Sequence, residues 1–310
     1  MQITKASSSF IGIVTVLFNS GEVLPDFFQS LSLQNGVKFK LYVIDNSDNS
    51  SGSKLSKLLS KKYNIDSEII FNNNNVGVAA GNNQGIALAL RDGCTHILFA
   101  NNDTEFKTGV IEDLLINLTS SNTSAISPKI YFYGTNRLWF AGGSMSAWRA
   151  KNTHWFYGDQ DKNQINKPTI ITYAPTCFLL VDASVISVVG LMDENYFCYW
   201  DDTDFIFRLI MHGYKLLYDP NVCISHKVSF STGGDKSPFS VYYNNRNRLY
   251  YVRKNNSGLI KIYSIFFILL TRAVRLFQFP KILRSSLIDG LYDGFKIKIN
   301  KNLLTNKHYL

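Results

Sequence analysis

The sequence predicts an α/β fold: a central, mainly parallel sheet with helices on both faces, followed by basic amphipathic helices at the C-terminus. Three observations carry this expectation. Over the first hundred residues, short runs rich in Val and Ile alternate with segments of helical length. The loops that follow the apolar runs are short and polar, as at the carboxyl ends of parallel strands. A chain of 310 residues that is 45% hydrophobic also buries a sizeable core without covalent cross-links. Its four cysteines, Cys94, Cys177, Cys198 and Cys223, are too widely spaced for a disulfide framework and form no CxxC pair. A reducing cytoplasm fits that usage.

In chain order, residues 11–17 read as a buried strand. They are no signal-peptide core, because no strongly basic leader precedes them and Asn19-Ser20-Gly21 follows without a small-residue cleavage site. A helix over 23–33, a strand over 39–44, a helix over 55–63, a strand over 67–71, a helix from about 82 to 91 and a strand over 96–100 complete a βαβαβαβ pattern. The loops are Asn19-Ser20-Gly21, residues 45–50, residues 72–77 and Asn101-Asn102-Asp103. Each is also what turns and helix caps are made of.

From about 125 to 245 the pattern is mixed, with strands over 125–131, 138–142, 170–175 and 177–181 and a helix starting near Ala183. This stretch is dense in aromatic residues, among them Trp139, Trp148, Trp155 and Trp200. Such rings stack on carbohydrate, although core packing accounts for most of them.

The net charge of +9 gathers after residue 246, from Arg246 and Arg248 through Arg272, Arg275 and Arg284 to Lys301. These charges alternate with the apolar runs 262–270 and 273–279, the composition of a helix on an anionic membrane surface. Nucleic acid is disfavoured, because bulky aliphatic residues stand where a nucleic-acid groove needs polar and stacking groups. Only ten charge-free residues lie between Lys261 and Arg272, where a membrane span needs about 20. The expectation is a peripheral protein on the cytoplasmic face of the inner membrane.

Three features carry chemistry. The strand 96–100 runs into Asn101-Asn102-Asp103, so Asp103 projects from a strand end where a hard divalent cation can bridge it to a diphosphate; a turn or helix cap is the plainer reading of one Asp. Trp200-Asp201-Asp202-Thr203-Asp204 crowds three carboxylates before the helical pattern 205–211. Crowded carboxylates raise one another's pKa, which is how a general base is poised, and Asp202 is the candidate while Asp201 and Asp204 are given structural roles. One Asp would be enough to cap that helix. His226 lies between residues 223–225, strand-like, and the Gly-containing segment 231–234; with Asp103 it becomes a candidate metal ligand.

Taken together, five ordered motifs resemble a family 2 glycosyltransferase of the GT-A fold, close to a bacterial rhamnosyltransferase-like branch. They are Val14-Thr-Val-Leu-Phe-Asn19, Val43-Ile-Asp-Asn-Ser47, Asn75-Val-Gly-Val-Ala-Ala-Gly-Asn-Asn83, Ala100-Asn-Asn-Asp103, and the segment from Gly190 to Asp204 running on to Arg208 and Gly213. The resemblance spans residue 10 to about 254. It implies a catalytic domain over 1–254, with a donor-binding half at about 10–105 and an acceptor half at about 106–245, and a basic helical tail over 255–310.

The same resemblance implies site roles. Thr15 and Asn19 close on the nucleotide, Asp45 bonds the base, and Asn75, Gly77, Asn82, Asn83 and Asn102 surround the rest of a nucleotide-diphosphate sugar. Asp103 and His226 hold Mn²⁺ or Mg²⁺; the family's motif is often Asp-x-Asp, whereas Asn101 stands at the first position here. Asp202 deprotonates the acceptor hydroxyl in an inverting displacement, with Trp200 and Asp201 on the acceptor side. The implied donor is a UDP- or dTDP-sugar such as dTDP-rhamnose, and the acceptor a glycan or lipid-linked saccharide in cell-surface polysaccharide synthesis. The alternative is a non-catalytic nucleotide-sugar or glycan-binding module on the same fold. A nucleotidyltransferase is disfavoured, because the loop after the first strand carries no Lys or Arg.

Overall fold

Strand–helix alternation in the first hundred residues is realised in the computed structural model, which describes residues 9–228 and 237–303. The elements are β1 (Phe10–Leu17), α1 (Leu24–Ser32), β2 (Lys38–Asp45), α2 (Ser51–Tyr63), β3 (Ser67–Phe71), α3 (Val78–Arg91) and β4 (His96–Ala100). Two helices begin a turn earlier than apolar periodicity predicts. In α2 the first-turn amide of Ser53 is satisfied by the Asp45 carboxylate, so a Ser- and Gly-rich start still folds. In α3 small residues at Gly81 and Gly85 let the helix lie directly on Val16 and Val14 of β1.

The chain continues through β5 (Thr104–Phe106), α4 (Val110–Ser120), β6 (Ala125–Phe132), β7 (Leu138–Phe140), β8 (Gly143–Ser146), β9 (Lys151–His154), β10 (Thr169–Ile171), β11 (Phe178–Asp182), α5 (Ala183–Val189), α6 (Asp201–Met211) and β12 (Leu216–His226). The strands expected over 138–142 and 170–175 are shorter, ending at Phe140 and Ile171. Three helices follow: α7 (Pro238–Asn255), α8 (Gly258–Gln278) and α9 (Lys281–Lys296).

The large sheet has the order β10-β12-β6-β11-β4-β1-β2-β3. Strands β3, β2, β1 and β4 are parallel; β1 and β4 are buried almost throughout as near-continuous apolar runs, whereas β3, at the sheet edge, is half-buried. Because β1 is followed by β2 on one side and flanked by β4 on the other, the carboxyl ends of β1 and β4 form the switch point where such sheets bind ligands. Beyond β4 the sheet is mixed: β11 runs antiparallel to β4 and β6, and β12 runs parallel to β6. The last residues of β12 also pair with β5, setting His226 opposite Thr104.

The C-terminal helices fold back on this body. In α9, Gly290 and Gly294 press against the backbone of α7; a Cβ at Gly290 would stand 2.5 Å from the Tyr242 carbonyl oxygen. Helix α8 buries only Ser264 and Ile268 and leaves a stripe of apolar side chains outside, with Leu259 77% and Phe277 87% exposed. Among the described residues no helix is long and apolar enough to cross a membrane.

Candidate active site

A cavity of about 650 Å³ opens at the switch point. Nine of the residues singled out from the sequence line it: Asn75, Gly77, Asn82, Asn102, Asp103, Trp200, Asp201, Asp202 and His226. Four do not.

Asp45 is fully buried and its carboxylate serves the loop: Oδ1 accepts from the Ser47 amide at 3.1 Å, and Oδ2 from the Ser53 amide at 2.8 Å and hydroxyl at 2.6 Å. The next residue, Asn46, reaches the cavity instead and donates to the Gly77 carbonyl at 3.0 Å. Thr15 lies inside β1, fully buried, with its hydroxyl unpartnered. Asn19 takes a left-handed backbone (φ 51°), and its amide is tied to the Ser47 hydroxyl at 2.9 Å. Asn83 faces α6's leading loop, exchanging bonds of 2.9 Å with the backbone of Met192 and bonding Glu194. These four do not line the cavity. Asn46, Phe18, His154 and Tyr173 line the cavity without having been marked in the sequence.

On one wall the β5–β12 pairing brings His226 to Asp103, with Nε2 3.1 Å from Oδ1. The Lys227 amide fixes the turn by donating to the Asp103 carbonyl at 2.9 Å. Trp139 stands edge-on to the imidazole with ring centres 4.5 Å apart. Asp103 Oδ1 is buried yet accepts no hydrogen bond of good geometry, and His226 Nδ1 has no partner. A buried anionic oxygen without a donor, beside an imidazole nitrogen, fits a divalent cation. Among the described residues no group of three His, Cys, Asp or Glu side chains could hold a metal alone, so these two leave the remaining positions to other oxygens. The segment 231–234, noted beside His226 in the sequence, lies outside the described residues.

The start of α6 lines the same cavity. Burial, and then the charge of Asp202, push the Asp201 carboxyl up to about 8. Burial also raises Asp202, but three donors pull against it: Tyr173 hydroxyl to Oδ2 at 2.9 Å, and the Thr203 amide (2.6 Å) and hydroxyl (3.0 Å) to Oδ1. Hydrogen bonds favour the charged form, so of the pair Asp202 is the better placed to carry the negative charge. Asp204 differs. Burial opposes its charge, but Lys254 and Arg208 outweigh burial and hold its carboxyl down at about 2. It bonds Arg208 Nε at 2.8 Å, Lys254 Nζ at 2.9 Å and the Tyr196 hydroxyl at 3.1 Å. Asp204 is structural, whereas Asp201 and Asp202 face the cavity.

The loop presenting this pair is strained: Phe197, Tyr199 and Trp200 all have left-handed φ, at 62°, 65° and 70°. Helix α7 holds it there. Asn247 Nδ2 reaches the carbonyl oxygens of Tyr196, Cys198 and Tyr199 at 2.7–2.8 Å, and Arg246 Nη2 those of Asn195 and Tyr196. The Val78 amide donates to the Phe197 carbonyl, joining the donor-side loop to the acidic loop. Gly77, at φ 90°, is required at this crossing, since a Cβ would lie 2.6 Å from the Phe197 ring.

Comparison with known proteins agrees with this geometry. The family model described as Glycosyl transferase family 2 matches residues 12–190. The dTDP-rhamnosyl transferase RfbF of Shigella flexneri is 24% identical over 207 residues, which are 60% of this chain and 63% of that protein, so the match spans a little under two thirds of RfbF. Among solved structures, GalNAc-T7 with UDP, GalNAc and Mn²⁺ superposes with a TM-score of 0.64 at 14% identity, over 91% of this chain and 55% of the other. The mannosyltransferase PcManGT of Pyrobaculum calidifontis, with GDP-Man and Mn²⁺, gives 0.55 at 11% identity over 92% and 86%. At such identities the structural likeness speaks for the fold, which is the GT-A architecture.

Proposed function

This chain belongs to glycosyl transferase family 2, and we propose that it moves a sugar from a UDP- or dTDP-sugar, dTDP-rhamnose being the donor suggested by its relative RfbF, to a glycan or lipid-linked acceptor in cell-surface polysaccharide synthesis. The observation that carries the reading is one cavity lined both by Asp103 beside His226 and by the Asp201–Asp202 pair.

Asn46, Asn75, Gly77, Asn82 and Asn102 are the residues available to the donor on the β1–β4 side. Asp103 and His226 would hold Mn²⁺ or Mg²⁺, which when bound neutralises charge on the leaving diphosphate. Asp202, charged and oriented by Tyr173 and Thr203, takes the proton of an acceptor hydroxyl. The hydroxyl oxygen then bonds to the anomeric carbon as the bond from that carbon to the diphosphate oxygen breaks, inverting the configuration. Asp201, protonated, presents no second charge to the acceptor. Trp200 is packed on Tyr251 with ring centres 5.4 Å apart and forms the acceptor-side rim. The apolar outer stripe of α8, in the basic C-terminal quarter of the chain, supports a peripheral position on the cytoplasmic membrane face.

The test is turnover with a panel of UDP- and dTDP-sugars in Mn²⁺ or Mg²⁺, comparing the unaltered chain with Asp202→Asn and Asp103→Ala. Turnover that depends on both residues is expected; turnover retained in both variants overturns the reading.

A further inference from the structure

Helices α7 and α8 carry three arginines, Arg248 buried, Arg272 half-buried and Arg275 exposed, that no carboxylate among the described residues neutralises. Arg248 is buried, its Nε donating to the Ala150 carbonyl at 2.9 Å and its Nη2 to that of Arg149 at 2.6 Å. Arg272 of α8 crosses to α7 and bonds Asn245 Oδ1 at 2.5 Å. Asn245 and Arg248 are three residues apart on one face of α7, and Arg275 follows Arg272 by three on α8, so the Arg272–Asn245 bond brings the three guanidinium groups close enough for their charges to act on one another. No ion pair with Asp or Glu involves any of them among the described residues, nor do Arg248 Nη1 and Arg272 Nη2 donate to any group there. Buried cations without counter-ions are costly. Burial and then the neighbouring charges of Arg272 and Arg275 hold Arg248 down at about 9, and burial and then Arg275 hold Arg272 down at about 10. The cluster is built for an anion.

Its place says which anion. Asn244 lines the cavity one helical turn from Arg248, and Asn152 lines it two residues from Ala150, so the cluster adjoins the acceptor rim. The same α8 that supplies Arg272 and Arg275 shows its apolar stripe on the opposite side, with Ile262, Phe266, Leu270 and Phe277 exposed and Ser264 and Ile268 buried toward the body. An apolar face turned outward and, across α8 from it, guanidinium groups without a carboxylate partner among the described residues match a ligand that is anchored in lipid and carries phosphate above the headgroups.

We propose that Arg248, Arg272 and Arg275 bind the phosphate or diphosphate of a membrane-anchored acceptor lipid, holding its glycan so that a hydroxyl reaches Asp202. This rests on the transferase reading, and its test is therefore scored by binding with no donor present. Full-length protein is mixed with phosphatidylcholine vesicles containing a polyprenyl diphosphate, and with vesicles of equal charge containing phosphatidylglycerol. The polyprenyl diphosphate vesicles should bind more tightly. Arg272→Gln combined with Arg275→Gln should lower that binding roughly tenfold or more while barely moving binding to phosphatidylglycerol. Thermal unfolding of the double variant checks that it folds, and Arg275→Gln alone, at an exposed position, serves if it does not. Inorganic diphosphate should compete with the lipid. Equal binding to both vesicle types overturns the proposal, as does a diphosphate-specific preference that survives the substitutions. Binding of inorganic diphosphate without any preference for the lipid form would assign the cluster to a soluble anion and overturn it as well.

Discussion

Asp103 and His226 meet at 3.1 Å because β12 ends where β5 begins, the strand register setting His226 opposite Thr104. More than a hundred residues of sequence separate the two, yet backbone pairing fixes their approach before any ligand arrives. In Mn²⁺, Asp103→Ala should weaken binding of a nucleoside diphosphate about tenfold or more, roughly 1.4 kcal/mol. Chelating the metal should weaken binding by the unaltered chain to the same level and leave the variant unchanged. Calorimetric titration of UDP and dTDP with and without chelator reads this. A variant that still responds to Mn²⁺ as the unaltered chain does would remove Asp103 from the cation site.

The pH profile should report Asp202. A base must be deprotonated to act, and burial raises this carboxyl, so kcat/KM should fall on the acid side at a pH above the ordinary carboxylate range. Tyr173→Phe removes a donor to the charged form. The acid limb should therefore move to still higher pH, at unchanged nucleotide affinity. A limb that stays put or moves down contradicts the assigned hydrogen bond.

The network beneath the acidic loop should dominate stability. Lys254 bonds both Asp193 at 2.7 Å and Asp204 at 2.9 Å, all three groups being fully buried. Lys254→Met leaves two buried carboxylates short of a cation, at a cost of about 3–5 kcal/mol in denaturant unfolding. Asp204 is depressed in the folded state from 3.8 to about 2. Its contribution is therefore complete above about pH 4 and is lost as pH falls through about 2. In Lys254→Met this acid dependence should shrink; an undiminished dependence would point to other carboxylates.

Asn247 should act on turnover through the loop it holds. Asn247→Leu removes the amide that bridges three carbonyl oxygens of residues 196–199, at a cost of about 1–3 kcal/mol. With the left-handed backbone released, kcat should drop more than nucleotide affinity, and Asn247→Gln should recover less than half of it. Equal losses in kcat and affinity would mean general unfolding instead.

Much of this was legible in the sequence, and the exceptions have physical causes. Strand β4 falls on the residues that alternation predicts because a parallel strand buried on both faces reads as an uninterrupted apolar run, and the half-buried edge strand β3 falls there through its Ile69-Ile70-Phe71 run. Asp103, Asp202 and His226 were visible because unusual side chains sit at strand and helix ends. Asp45 was misplaced, and Asn46 overlooked, because the residue after a strand turns into the loop, and an amide carries a weaker signal than a carboxylate. Tyr173 and Asn247 gave no local signal, since each acts across the fold on a partner distant in sequence. The basic C-terminal quarter is not all surface. Lys254 is consumed by Asp193 and Asp204, and Arg246 by backbone carbonyls, which a charge count cannot separate from solvent-facing lysines.

The central claim is that Asp202 is the base of a sugar transfer. Single-turnover transfer by Asp202→Asn, at saturating donor and acceptor, tests it most directly alongside calorimetric binding of the nucleoside diphosphate. Asparagine keeps the shape and the Tyr173 contact but cannot take a proton. The rate should fall about 100-fold or more while nucleotide affinity stays within a few-fold. A transfer rate within a few-fold of the unaltered chain would contradict the assignment.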